Sequence, residues 1–334
     1  MAGGFVEMSE KKKDNETKAY AARIKDRDVL IKSSSGGVFT AISDIFLDQG
    51  DAVVCSLYDC QEKKQVFHII TDKIERDASR GSKYMQSDPK DIFQQSISWL
   101  RNNPQKHLLF IGTGCQAIGF QSFIEIQAGE LRDRVYTADI ICHGSPSPMI
   151  WKEYIELLEK KHKGQAGTPE FKDKRNGWKS PTAVVSINGF EVPLKTYINI
   201  YYTSRMLRPS CHKCPYTIMK RQTDLTFGDY WGIEDKLPDF YDRMGNSLLL
   251  IHTERMQDLF QKMQDALDYC ESSLADCWQL NLEYPTPASA KRNVFWRDYY
   301  KYGLSHIVKK YKLRSFMIRI KNKANKMLGH LSKR

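Results

Sequence analysis

The sequence predicts a mixed α/β protein: a largely parallel sheet covered by helices, with an inserted β-hairpin and a basic carboxy-terminal helical tail. Three observations carry this. HLLFIGTGCQAIGF (107–120) and VYTADIICHGSPSP (135–148) each run from a short, continuous apolar strand through a glycine-bearing turn towards a helix. Strands of that kind, alternating with helices, belong to a parallel sheet buried on both faces. PTAVVSINGFEVPLKTY (181–197) alternates on either side of Asn188-Gly189, a pair that tolerates the positive backbone angles of a tight turn. In the last forty residues Leu313, Met317, Ile320, Ala324, Met327 and Leu331 recur at steps of four and three, the signature of a helix with one apolar stripe and a basic opposite face.

Taken in order, residues 1–19 are polar and without periodicity, and read as a flexible lead. In SSSGGVFTAISDIFLDQG, Ser33 to Gly37 form a loop feeding a helix: the serines offer a cap, Val38, Ile42, Ile45 and Phe46 share a face, and Gly50 sits where helices stop. DAVVCSLYD and QVFHIITD are paired strands, followed by the polar loop SRGSKYMQSD and a helix from about Pro89 to Leu100. The two strand-turn units follow, the second entering a helix from Met149 to Lys161, and then the hairpin. RPSCHKCPYTIMKRQTDLTFGDYWG (208–232) carries two cysteines into a strand and turn. SLLLIHT is another buried strand, with a helix from about Glu254 to Ser272 after it.

No apolar run approaches the roughly 18 residues that cross a bilayer, and the first residues lack the apolar core of a secretory signal, so the expected compartment is the cytoplasm. Eight cysteines are then expected as thiols, and the patterned ones as metal ligands or catalytic groups. The formal charge of +11 is local: residues 291–334 hold 14 Lys and Arg against one acid, Asp298, a balance of +13 that leaves −2 on the rest. A nearly neutral body without helix-turn-helix, RNP or zinc-finger spacing excludes a nucleic-acid groove as the main function. The basic tail suits a peripheral contact with an anionic inner membrane face, where each Lys or Arg is worth on the order of 1 kcal/mol; its other reading is a solvated helix packed on the body.

Cys211 and Cys214 form a CxxC pair, in which both sulfurs can face one point. Zinc, rubredoxin-type iron, an iron-sulfur cluster and a redox dithiol all use that spacing. No second CxxC exists, but Cys115 and Cys142 each follow an apolar strand and stand beside glycine, so they can converge with the pair at one end of the sheet. Four thiolates drawn from three loops suit a 4Fe-4S cube better than zinc, with no metal at all as the third reading. Cys55, Cys60, Cys270 and Cys277 lack such context and read as ordinary buried thiols. His143 is either a proton donor or a loop histidine bonded to backbone. Asp224 and Asp229 either orient a site or make turns.

The ordered series SSSGGVFTAIS, GSKYMQSD, FIGTGCQAIGF, DIICHGSPSP, RPSCHKCPY and RQTDLTFGDYWGI resembles the beta-subunit family of coenzyme F-420 hydrogenase and dehydrogenase over about residues 20–255. The resemblance implies a flavin-binding region over 20–104 and a cluster-bearing region over 105–275, and leaves out the basic amphipathic tail over 285–334. It implies FAD beside a 4Fe-4S cluster, with electrons passing among cluster, flavin and an organic substrate. Cys115, Cys142, Cys211 and Cys214 become the cluster ligands. Ser33, Ser34, Ser35, Gly36, Gly37, Lys83, Tyr84, Gly112, Thr113 and Gly114 fall over FAD. Gly36 and Gly37 would let amides approach a pyrophosphate, Lys83 would neutralise a reduced flavin or a phosphate, and Tyr84 would stack on a ring. Gly114 stands where the family usually has proline. Many relatives carry an amino-terminal ferredoxin segment dense in cysteine, whereas residues 1–54 contain none, so a separate ferredoxin-like donor or acceptor is expected. Relatives associated with surface-polysaccharide synthesis suggest a small-molecule or lipid-linked sugar substrate. The rival reading is a non-catalytic binding or assembly protein that keeps the fold and a structural metal.

Overall fold

The structure, a computed structural model, describes residues 17–331, with side chains described as far as Lys312. Residues 1–16 of the expected lead, and the stripe from Leu313 onward as a set of side chains, lie outside the described residues. β1 (Lys18–Ile24) begins two residues inside the stretch read as lead. α1 (Arg27–Lys32) is capped by Asp26, whose carboxylate accepts from the Asp28 and Val29 N–H groups. α2 (Val38–Asp48) starts on Gly37 at φ 83°, not on a serine; Ser33 instead closes α1. β2 (Ala52–Asp59) and β3 (Lys64–Ile70) pair antiparallel, as expected. α3 (Lys73–Ala78), the two-residue β4 (Ser87–Asp88) and α4 (Ile92–Asn102) follow.

β5 (Leu108–Thr113) enters α5 (Gly114–Gln127) with no intervening loop, so the expected glycine loop is the first turn of the helix. β6 (Val135–Ile140) leads through a true loop to α6 (Pro148–His162), with proline at the helix start where its missing N–H costs nothing. β7 (Glu170–Asp173), β8 (Thr182–Ile187) and β9 (Phe190–Pro193) form a separate antiparallel sheet, the β8–β9 turn being Asn188-Gly189 at φ 52° and 77°. Then come α7 (Lys195–Tyr201), β10 (Leu225–Asp229), α8 (Ile233–Lys236), β11 (Ser247–Ile251) and α9 (Glu254–Met263). The helix expected to run to Ser272 ends at Met263; Leu267–Ser272 is a strand, β12, paired antiparallel with β1. The open edge of β1 supplies ladder partners that outweigh a weak local helix preference. α10 (Leu280–Glu283) and α11 (Arg292–Leu331) finish the chain, α11 broken at Gly303, φ 74°.

The main sheet has nine strands in the order β12-β1-β11-β10-β6-β5-β2-β3-β4. Its centre, β10-β6-β5-β2, is parallel, and antiparallel pairs flank it. Strand directions therefore bring the carboxyl ends of β1, β10, β6, β5 and β2 to one edge, together with the first residues of β11, β3 and β4. Both faces are covered: Val53 and Leu109 pack with α2 and α9, while their neighbours Val54 and Leu108 pack with α4 and α5. That double burial is why these strands read as unbroken apolar runs. Phe295, Tyr299, Leu304, Ile307 and Tyr311 of α11 are buried against α6 and α7, so the tail helix begins as core. Among the described residues no helix is long and apolar enough to cross a membrane.

Candidate functional site

The four patterned cysteines gather at that common edge. Cys115 is in the first turn of α5, immediately after β5, and is exposed; Cys142 is two residues beyond β6. The segment before the CxxC pair is laced to the loop after β6: Ser147 N–H donates to Met206 O at 2.9 Å and Arg208 N–H to Ser145 O at 2.8 Å. Ser145 N–H then donates to Cys211 Sγ at 3.3 Å. Gly144, at φ 131°, admits this approach, since a Cβ there would lie 3.3 Å from Cys211 Cβ and 2.8 Å from Leu207 Cδ1. Burial pushes the Cys142 thiol up to about 12; the Gly144 N–H opposes this, and the thiols of Cys115, Cys211 and Cys214 add to it. Burial raises Cys211 as well, against the Ser145 N–H, with Cys115 and Cys214 adding. Among the described residues no group of three or more His, Cys, Asp or Glu is placed so that it could hold a metal ion. As a donor set the four cysteines fit an iron-sulfur cluster: four sulfurs, no competing carboxylate, and backbone N–H groups aimed at two of them.

Beneath the cysteines lies a buried ion pair. Asp139 is fully buried and accepts from Thr223 and Thr226 hydroxyls at 2.6 Å each and from Arg221 at 3.2 Å. Burial raises the Asp139 carboxyl, and Arg221 opposes that rise. Arg221 also donates to Tyr216 O at 2.5 Å and to the Leu282 carbonyl at 3.2 Å, tying the CxxC segment to the sheet. A Cβ on Gly114 would lie 3.2 Å from Tyr216 Cβ, so the start of α5 rests on the same segment. Gly114 is simply the first helical residue there, and the departure from proline leaves the helix start intact.

Ser33 to Gly37 occupy the same edge, beyond β10. Their polar atoms are largely committed: Ser33 Oγ donates to Val29 O, Ser35 Oγ to Asn246 O, and Ser34 Oγ accepts from Ser82 Oγ at 2.9 Å. Gly36 N–H, expected to face a pyrophosphate, donates to Ser247 Oγ at 2.9 Å. Lys174 pins the loop from the second sheet. Its buried amine donates to Leu30 O at 2.8 Å and Ser35 O at 2.5 Å, and also to Met244 O. Burial lowers it to about 7, with Asp229 opposing.

Lys83 and Tyr84 link the loop to the cysteines. The Lys83 amine is turned onto its own loop, donating to Ser79 O and to Gly81 O, and burial lowers it to about 8. Tyr84 does not present a free ring: it packs against Tyr201 and Tyr202 at centroid distances of 4.9 and 6.0 Å. Tyr201 O–H donates to Gly144 O at 3.0 Å, and its ring lies 5.3 Å from His143. Both ring nitrogens of His143 meet hydroxyls, Ser204 and Thr286, each at 3.2 Å. Burial holds His143 below the usual imidazole range. Gly112 and Thr113 end β5, with Thr113 N–H donating to Gln116 Oε1 at 3.1 Å and the Thr113 hydroxyl 3.2 Å from Cys115 Sγ.

Asp229 binds Lys172 and accepts from Trp178 Nε1 at 2.9 Å, and Asp224 is held by Arg255 at 2.8 Å, so both acids have structural partners. Trp178 stacks on the part-exposed Trp231 at 4.9 Å. Lys172, Lys174, Tyr201, Tyr202 and Ser247 were not singled out from the sequence, because a lysine pointing inward from a strand has no local signature. Cys55 and Cys277 are buried as expected, while Cys60 and Cys270 are partly exposed.

Two stretches of the chain match the family described as coenzyme F420 hydrogenase/dehydrogenase, beta subunit: residues 19–91 match its N-terminal part and residues 105–276 its C-terminal part. Among solved structures, a chain of the F420-reducing [NiFe] hydrogenase complex from Methanosarcina barkeri is similar, with 17% identity and a TM-score of 0.51 over 76% of this chain and 81% of that one. No curated protein matches the chain in sequence.

Proposed function

The chain belongs to the coenzyme F420 hydrogenase/dehydrogenase beta-subunit family, an oxidoreductase electron-transfer family, and from that membership we propose that it is a FAD-dependent iron-sulfur oxidoreductase. One observation carries the reading. The three cysteine-bearing segments and the serine-glycine loop meet along a single sheet edge, at the carboxyl ends of parallel strands where α/β sheets bind ligands. When bound, the cluster supplies single-electron transfer and the flavin supplies electron exchange with an organic substrate.

The chain's own groups have separable tasks. Cys115, Cys142, Cys211 and Cys214 hold the cluster, and the Ser145 N–H steadies the Cys211 thiolate. Ser33 to Gly37, Lys83, Tyr84 and the Gly112–Gly114 turn line the flavin, with the shape of the serine-glycine loop set by Lys174 and Ser247. Lys83, whose amine donates to the Ser79 and Gly81 carbonyls, would have to turn from them to set its charge against an anionic flavin. His143 holds a proton between Ser204 and Thr286 next to Tyr201, where substrate reduction needs a donor. The part-exposed rings of Tyr202 and Trp231, beside the Lys172–Asp229 pair, support a sugar-bearing substrate: ring faces with a few fixed polar groups are suited to it.

Anaerobic purification with iron and flavin quantitation tests this. A brown protein with bound FAD, bleaching on reduction, is expected; a colourless protein with stoichiometric zinc overturns it. Cys211→Ser should lose iron and lower flavin occupancy, and Cys270→Ser should do neither. Equal effects of the two would falsify the ligand assignment.

A further inference from the structure

The stretches that wall the cysteine site contain no acid, and Asp139 beneath them is buried and paired with Arg221. From Val192 to Thr223, around Cys211 and Cys214, there are six cations (Lys195, Arg205, Arg208, Lys213, Lys220 and Arg221) and not one Asp or Glu. Ile140 to Lys152 around Cys142, Ile92 to Ile124 around Cys115, and Tyr284 to Arg297 at the start of α11 are acid-free too. Against a body whose first 290 residues balance to −2, this is a local concentration of positive charge.

The fold assembles it into a collar. Arg292 reaches from the start of α11 to the carbonyls of Leu207 at 2.6 Å and Arg205 at 2.8 Å, and Thr286 and His212 close the same wall, with His212 Nδ1 2.9 Å from Thr286 O. Arg208 and Lys213 flank Cys211 and are exposed, as is Lys291. Cations elsewhere are commonly paired with acids, as Lys73, Arg76, Arg175 and Arg255 are. Among the described residues Arg208, Lys213 and Lys291 have no acidic partner. Cys115 is the exposed cysteine of the four.

We propose that Arg208, Lys213, Lys291 and Arg292 form a docking collar for the acidic face of a small protein electron carrier, seated over the cysteine site. This deepens the proposed function and rests on it. Unpaired cations of one sign around a local opening steer an oppositely charged partner and raise its encounter rate about 10- to 1000-fold, an effect that salt removes. Duplex DNA, which needs such charge along a track, is a rival outcome of the test because the sequence stays basic beyond Lys291; the collar is assigned to a protein carrier because it stands beside a redox-type donor set. A cluster held by Cys115, Cys142, Cys211 and Cys214 would exchange one electron with the docked carrier, one of the two being oxidised as the other is reduced.

The test uses the full chain, purified anaerobically, with a plant-type 2Fe-2S ferredoxin as the acidic probe and the dissociation constant measured at rising salt. Binding should weaken about tenfold or more between 50 and 300 mM salt. It should weaken about tenfold in R208E/K213E at low salt and by less in R208Q/K213Q. The reversal K262E, on α9, should leave it unchanged. Ferredoxin binding indifferent to salt and to both double variants overturns the collar. So does a double reversal that abolishes binding to anionic vesicles or duplex DNA while sparing ferredoxin. Iron content of the same samples separates the two ideas: iron present without salt-sensitive docking sinks the collar alone, and docking without iron sinks the cluster alone.

Discussion

Gly36 stands where no side chain fits: a Cβ there would lie 2.2 Å from Ala22 O and 2.6 Å from Ser247 N, both backbone atoms of paired strands. Gly36→Ala should cost about 1–3 kcal/mol in chemical denaturation and lower flavin occupancy, because the loop has to leave β1 and β11 to make room. An unchanged denaturation midpoint would refute that close approach. His252 makes a second prediction of this kind. Between Thr17 and Thr226, with its ring nitrogens 3.1 and 2.9 Å from their hydroxyls, it is lowered to about 4 by burial and then by the Arg221 charge. The unfolded chain therefore takes up this proton first as pH falls. Stability present above about pH 6.5 is lost progressively towards pH 4, amounting to about 1–2 kcal/mol by pH 5. Denaturation from pH 7 to 4.5 should fall less steeply in His252→Asn than in the natural chain; parallel curves would refute it. Neither residue is legible alone, since Gly36 and Ser247 are 211 positions apart.

At the scale of elements, reading succeeded where periodicity is local. The hairpin about Asn188-Gly189 and the apolar strands β5, β6 and β11 formed as their patterns require. It failed at β12, where LDYCES has no strand alternation of its own and is a strand only because β1 needs a partner. It also failed at the serine cap, since Gly37 in the left-handed region starts α2 and releases the serines to other bonds. Within α5 the contrast between glycines is testable. Gly119 is helical and a Cβ there meets nothing within 4 Å, so Gly119→Ala should stabilise by up to about 1 kcal/mol through helix propensity. A loss of stability in that variant would place a neighbour against the outer face of α5.

For the whole molecule, the proposed cluster ligands run from residue 115 to residue 214 and come from α5, the loop after β6 and the segment before β10. A bound group would therefore clamp segments that unfolding separates, and binding energy becomes folding energy. Removing iron with a chelator under anaerobic conditions should lower the melting temperature by about 5 °C or more. A melting curve that ignores iron would place the metal off these segments. The collar belongs to this scale as well, because four acid-free stretches become one surface only when the chain folds.

The sequence by itself determined the strand-turn-helix units, the tight hairpin and the identity of the four patterned cysteines, since each depends on spacing within a window of a few residues. The tertiary structure alone decided that β12 closes the sheet, that Lys174 reaches 139 positions back to hold Ser35, and that Arg292 of α11 reaches the Arg205 and Leu207 carbonyls beside the CxxC segment. Those outcomes depend on which distant segments meet, and a buried amine or a strand edge takes whichever acceptors the fold brings to it.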